Sequence, residues 1–509
     1  MNFILNLNIA TSDLILFSLI LPLIGSLGII FFNNYRNLRE FVTLLTASTL
    51  FIFVINIFTR LNAGETPTLF LFELFSKLEI SFSVEPLGMI FGLLASGLWI
   101  VNSIYSLGYM RANNERNQTR FYVCFALAIS CSLGIAFSAN LLTFFLFYEL
   151  LTISTYPLVT HSGSSLAKKG GRVYLGFLLG TSITFLMLGI ISIWEITGTL
   201  DFIKGGVLNS SYGSLQIGLL LALFVFGIGK AALMPFHFWL PAAMVAPTPV
   251  SALLHAVAVV KAGVFGIVKV IIFIFGIETL KITEAGYWLP YASGFTIIVA
   301  SIIALNSNNL KKRLAYSTVS QLSYIILAIS MLNPLAIIAS VFHLVAHAFG
   351  KITLFFAAGA IYTSLHKTEI NELNGVGRQM PLTMIAFSLG VLCMIGLPLS
   401  GGFVSKWFLL SGAITENYWF IIFVIFLSTI LNVSYFAPIL YRAFFLKPIT
   451  AEILSENLDK KHSFDHIQYR YNLETPLPIL IALFTTGLGS VFLFFYPEPI
   501  IELVKTVGK

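Results

Sequence analysis

Apolar residues run along this chain in long continuous stretches separated by short polar breaks, and not in the alternating segments of about ten residues that a transmembrane barrel needs. A helix crossing the hydrocarbon core takes about 20 residues. Fourteen runs of that kind fall at 14–32, 39–59, 82–108, 120–138, 140–160, 173–197, 216–239, 248–273, 284–305, 314–332, 335–363, 382–412, 419–445 and 474–496. In lipid the backbone must satisfy itself within helices or around a closed barrel, so the pattern predicts an all-α polytopic membrane protein with about 14 transmembrane helices. The start "MNFILNLNIATSD" lacks a basic leader and a small-residue cleavage site, so the first run reads as a retained helix.

Composition changes how length is read. The 509 residues are 57% hydrophobic and 10% charged, which places the chain among membrane proteins and not among strings of soluble domains. Charge then sets orientation. Alternating the runs from an outer start puts most loop cations inside, among them Arg111, Arg116, Lys168, Lys311, Arg313 and Arg442, against six outside: Arg60, Lys77, Lys204, Lys281, Lys505 and Lys509. Both termini are therefore expected on the external side, and the net charge of +7 reads as topology without any appeal to nucleic acid. Cys124, Cys131 and Cys393 lie in apolar runs without CxxC spacing, and neither a phosphate-cradling GxxxxGK[ST] nor a dinucleotide-binding glycine fingerprint occurs. No metal or cofactor is expected on this chain, and any redox chemistry falls to partners.

Five lysines remain inside the runs: Lys230, Lys261, Lys269, Lys351 and Lys406. A charge at mid-bilayer costs at least about 2.5 to 3.5 kcal/mol on an insertion scale, so such residues face a polar interior and mark ion paths. Lys269, near the end of its run, fits snorkelling to the interface as well as it fits a role in transport. Glu149, in "FFLFYELLTIS", needs a partner, and a lysine on a neighbouring helix is the natural one. A fixed ion pair explains it less well, because buried pairs stabilise little.

Two segments join a buried lysine to a helix breaker. In "FGIGKAALMPFHFWLP" (226–241), Pro235 is expected to break the helix near Ala231, one residue after Lys230. In "GLPLSGGFVSKWFLL" (396–410), Pro398 and the Gly401–Gly402 pair precede Lys406. Interrupted helices in corresponding halves point to inverted repeats with a site at each break. The chain then divides into an N-terminal part (1–119), a first repeat of runs four to eight (120–273), a second of runs nine to thirteen (274–445), a cytoplasmic linker (446–473) and a last helix (474–509), with Lys230 and Lys406 as counterparts. "FHLVAHAFGKITLFF" (342–356) stacks His343, His347 and Lys351 on one helical face, a pattern suited to a proton relay. The rival, zinc, lacks a nearby carboxylate or cysteine ligand. His237 and His255 fit either packing or the relay.

"PFHFWLPAAMVAPTPVSALLHAVAVVKAG", with "FFLFYEL", "AYSTVSQLSY", "HAFGK" and "GLPLSGGFVSKW", resembles the antiporter-like membrane subunits shared by respiratory complex I (NADH-quinone oxidoreductase) and Mrp-type Na+/H+ antiporters, over roughly 85–445. The resemblance implies fourteen helices, two inverted five-helix repeats (helices 4–8 and 9–13), broken helices 7 and 12, and a hydrated polar axis at mid-membrane. It makes Glu149 and Lys230 the glutamate–lysine pair, Lys261 the connecting lysine, His347 and Lys351 the relay, and Lys406 the terminal ionisable group. Ala242, where complex I members have an acid after "WLP", is more similar to the Mrp D-type subunit. Gln321 stands where some relatives have histidine, and an amide can hold a water chain but cannot carry the proton charge. The expected function is proton translocation in a bacterial plasma membrane or its equivalent, in an assembly with other membrane subunits. Protons would exchange for a cation such as Na+ in an Mrp-like assembly. In a complex I-like one, NADH, flavin, Fe-S centres and quinone would belong to partner subunits. A polytopic enzyme acting on a lipid-linked substrate would need acidic polar loops at a membrane face, which the chain lacks. A scaffold that had lost transport would not need the retained glutamate and lysine.

Overall fold

The computed structural model describes residues 10–75, 77–448 and 473–507, apart from the side chains at 254 and 255. Helices α1 (Thr11–Phe31), α2 (Arg36–Asn62), α3 (Pro86–Ala112), α4 (Gln118–Phe137), α5 (Leu141–Val159), α6 (Ser165–Thr197) and α7 (Ser214–Gly227) are followed by an irregular stretch. Then come α8 (Val259–Phe275), α9 (Leu289–Asn306), α10 (Leu310–Ile329), α11 (Pro334–Leu365), α12 (Pro381–Ile395), α13 (Gly401–Thr415), α14 (Trp419–Phe445), α15 (Leu477–Phe495) and the short α16 (Glu498–Lys505). Among the described residues ten helices are long and apolar enough to cross a membrane, or eleven if α8 and Ile277–Thr283, bent by 76°, form one span. Most of the linker expected at 446–473 lies outside the described residues.

Local chemistry starts these helices where they start. Asn140, Ser164, Asn309 and Asn333 accept hydrogen bonds from backbone N–H groups three residues on, at the first turns of α5, α6, α10 and α11. Proline occupies the first turn of α3, α11, α12 and α15, where its missing N–H costs nothing. Helix α11 is the most enclosed, packing against α10, α12, α13 and α15, whereas α1, α2 and α14 are peripheral and turn Leu27, Phe31, Phe41 and Phe445 outward as lipid-facing side chains do.

An antiparallel hairpin, β1 (Thr68–Phe75) and β2 (Leu78–Ser83), fills a stretch read from sequence as a loop. It is anchored below by Asn140 Nδ2 donating to the Glu79 carbonyl at 3.0 Å and by Ser81 N donating to Thr143 Oγ1 at 3.2 Å.

Both expected helix breaks are present. Helix α7 stops at Gly227, four residues before the Ala231 level inferred from Pro235, and Lys230 lies inside the break in the 3-10 turn Gly229–Ala231. Tertiary packing moves the boundary. The irregular segment presses on α8 so closely that a Cβ on Gly263 would sit 2.2 Å from the Ala231 nitrogen. The second break falls between α12 and α13, where Gly402 packs on the end of α12 and a Cβ would lie 1.8 Å from the Cys393 carbonyl oxygen. Wide π-turns at Ser182–Leu186, Leu253–Val257 and Ile271–Phe275 interrupt α6, precede α8 and end α8, a feature frequent at functional sites.

Candidate functional site

Buried ionisable side chains stand in the α7 break, on α8 and α11, and in the first turns of α13. In the α7 break the Lys230 ammonium donates to the Tyr148 carbonyl at 2.8 Å and to Thr152 Oγ1 at 2.6 Å, and lies 3.1 Å from the centre of the Tyr148 ring. Glu149 follows Tyr148 on α5. The direct Glu149–Lys230 ion pair expected from sequence does not form: Lys230 takes the neutral oxygens of α5, and both Glu149 carboxylate oxygens are buried without a hydrogen-bond partner among the described residues. An i, i+1 step on a helix turns successive side chains to different faces, which is why Tyr148 and Glu149 cannot present equally to Lys230.

Lys261 and His347 meet directly, Nζ to Nδ1 at 2.7 Å, joining α8 to α11. The three residues stacked on α11 then fan out to three neighbours. His347 reaches α8, His343 Nδ1 lies 2.8 Å from Ser405 Oγ on α13, and the Lys351 ammonium donates to Ser317 Oγ on α10 at 2.9 Å. The His343 and His347 rings are 6.2 Å apart. Lys406 donates to the Ile395 carbonyl at the end of α12, at 2.8 Å, and its ammonium lies 4.9 Å from the Tyr324 ring. Tyr324 also packs against His343, and Gln321 Nε2 and Lys406 share the Met394 carbonyl at 3.4 Å each. Lys230, Lys261, Gln321, His347 and Lys351 are fully buried, with His343 and Lys406 nearly so. Chemically these are bases and proton donors set among hydroxyl, amide and carbonyl groups. Such groups can hold and pass protons.

Residues 138–432 match the family described as "NADH:quinone oxidoreductase/Mrp antiporter, TM". The NADH-quinone oxidoreductase subunit N of Desulforudis audaxviator (strain MP104C) is 30% identical over 432 residues, 84% of each chain. The chain belongs to this antiporter family. The A/B subunit of a probable K(+)/H(+) antiporter from Rhizobium meliloti (strain 1021) is 34% identical over 337 residues, 65% of this chain and 32% of that longer protein. By fold the chain is similar to a chain of the membrane-bound sulfane sulfur reductase, an archaeal respiratory membrane complex, with a TM-score of 0.82 and 21% identity. It is also similar to one from the Mrp complex of Dietzia sp. DQ12-45-1b, with a TM-score of 0.81 and 19% identity. Each of these likenesses covers 98% of this chain and 97% of the other.

Against this family background, the remaining buried groups separate clearly. Lys269 does not snorkel: it is fully buried, pairs with Glu85 at 2.8 Å and donates to the Ser138 carbonyl at 2.7 Å. Glu85 immediately precedes α3 without a side-chain capping bond to it, and no sequence signal ties it to a lysine so far along the chain. His237 packs against Phe238 and Tyr316. His255 falls in the π-turn Leu253–Val257, and its side chain lies outside the described residues. A groove of about 280 Å³ opens in the irregular stretch before α8, lined by Tyr109, Glu115, Thr248, Lys311 and Lys367. There Lys311 donates to the Ala246 carbonyl at 2.6 Å. Burial holds the Glu115 carboxyl, in the turn between α3 and α4, above the usual carboxylate range, and Lys311 opposes that shift.

Proposed function

We propose that this chain carries protons across a bacterial plasma membrane or its equivalent, as one subunit of a multisubunit complex with both termini outside. Protons enter from the cytoplasmic side, dwell on Lys230 or Lys261, pass through His347 and Lys351 and leave by Lys406. The observation that supports this best is the 2.7 Å contact between Lys261 and His347, which brings proton carriers of the two expected repeats within one hydrogen bond. Changes in the distance between Glu149 and Lys230 would raise or lower the proton affinity of Lys230 and set direction, since an opposite charge favours the protonated form. In a fourteen-helix, two-repeat arrangement Lys230 and Lys406 would take matching places at the two breaks. Glu149→Ala and Lys230→Ala should each abolish proton uptake in proteoliposomes while the complex still assembles; full transport in both refutes the path.

Two drives fit the same path. Ala242 after "WLP" favours a secondary cation/proton antiporter with a D-type subunit. The 84% mutual coverage with an oxidoreductase subunit favours redox-driven pumping, with flavin, Fe-S and quinone on partner subunits. A mass-spectrometric inventory of the intact complex separates them: NADH-oxidising and iron-sulfur subunits mean a redox pump, and membrane subunits alone mean an antiporter.

A further inference from the structure

Of the six basic residues that the loop tally places outside, three come from distant parts of the chain to one groove. Lys204, Lys281 and Lys505 line a space of about 550 Å³ whose floor is apolar, with Ile272, Ile337 and Val504. Lys281 and Lys505 lie 3.9 Å and 3.6 Å from Glu278 and Glu502, one turn away on their own helices. Both pairs are exposed, and such pairs yield readily to a competing anion. Lys204 has no ion pair among the described residues.

Across α16 lies a second space of about 620 Å³, lined almost wholly by apolar groups, including Phe51, Leu94, Phe349, Ile500 and Leu503. The two share their walls. Helix α16 gives Val504 and Lys505 to the groove and Ile500 and Leu503 to the cleft. Helix α11 gives Ile337 and Ile338 to the groove and Val345 and Phe349 to the cleft, about 14 Å further along its axis into the bilayer.

We propose that this is a binding site for an anionic phospholipid, with its phosphate among Lys204, Lys281 and Lys505 and an acyl chain in the cleft. Cations beside a neighbouring apolar cleft match a molecule that is anionic at one end and hydrocarbon at the other. A zwitterionic lipid would bring its own cation towards the lysines, and inorganic phosphate would leave the cleft unused. None of the residues assigned to the proton path lines either space.

The test is native mass spectrometry on the intact complex in detergent, titrated in turn with phosphatidylglycerol, with phosphatidylcholine of the same chains, and with inorganic phosphate. Each lysine near an anionic lipid contributes about fivefold in affinity, so Lys204→Gln/Lys281→Gln/Lys505→Gln should weaken phosphatidylglycerol binding by roughly a hundredfold. Phosphatidylcholine binding should not change, and the three lysines replaced by arginine should retain the preference. Should the glutamine variant fail to assemble, the arginine variant and the comparison of the two lipids on the unaltered complex still decide. Equal binding of the two lipids, an unaffected glutamine variant, full displacement of lipid by millimolar phosphate, or an acidic segment of a partner subunit filling the groove would each overturn the proposal.

Discussion

Gly263→Ala is the smallest change that tests whether the α7 break and the buried lysines work as one unit. A Cβ at 263 would stand 2.2 Å from the Ala231 nitrogen and 2.3 Å from the Lys230 carbonyl carbon, where ordinary contact begins at 3.4 Å. The obstacle is backbone on both sides, so α8 and the broken segment must part by about 1.2 Å, an overpacking cost of about 1 to 3 kcal/mol. Lys261 is two residues from Gly263 and Lys230 is the residue being pushed. The separation therefore either lengthens the 2.7 Å Lys261–His347 contact beyond hydrogen-bond range or pulls Lys230 from Tyr148 and Thr152. A misplacement of about 1 Å can cost on the order of 100-fold in rate. We expect the variant complex to assemble on a native gel with a lowered Tm. Proton uptake, followed with a pH-sensitive dye in proteoliposomes, should fall by roughly 10- to 100-fold, again on the order set by that misplacement. Uptake at the unaltered rate with an unchanged Tm would show that helix α8 and the break move independently, and the argument would fail.

Further tests reach other parts of the molecule. Lys269→Met leaves Glu85 as a buried charge without compensation and should cost about 3 to 5 kcal/mol of stability, whereas Glu85→Gln/Lys269→Met should recover most of it; equal Tm losses in single and double variants would mean the ion pair is not the cause. Glu115 has a raised pKa in the folded protein, so the folded state holds this proton more tightly than the unfolded one. Its contribution to stability is full below the usual value of 4.5 and is lost as pH rises through the folded value. Glu115→Gln should accordingly leave Tm unchanged near pH 4.5 and raise it at neutral pH, and a Tm difference that stays constant across that range would contradict this.

What could be read from sequence was what depends on composition along one helix. Continuous apolar runs mark where helices lie, and Pro235 and Pro398 beside lysines mark both breaks, because a breaker and a buried cation are each costly in lipid. The hairpin escaped notice because "LFLFELF" is too short to span and too uniformly apolar to show alternation. Pairing between distant segments was also out of reach. The period of α11 puts His343, His347 and Lys351 on one face, but nothing local says that they face Ser405, Lys261 and Ser317 on three different helices. Likewise, charge economy assigns Lys230 to Glu149, and only the position of Tyr148 on α5 shows that neutral oxygens take the ammonium instead.

Four of the five intramembrane lysines, Lys230, Lys269, Lys351 and Lys406, donate to main-chain carbonyls, those of Tyr148, Ser138, Leu314 and Ile395. A carbonyl is the same whatever side chain its residue bears, so an alanine scan passes over these anchors and reports the positions as tolerant. Backbone esters placed at Glu149, Ala139 or Gly396 would weaken the acceptor itself. In this protein, much of what steadies the buried ammonium groups is written in the peptide link and is hidden from any comparison of residue identities.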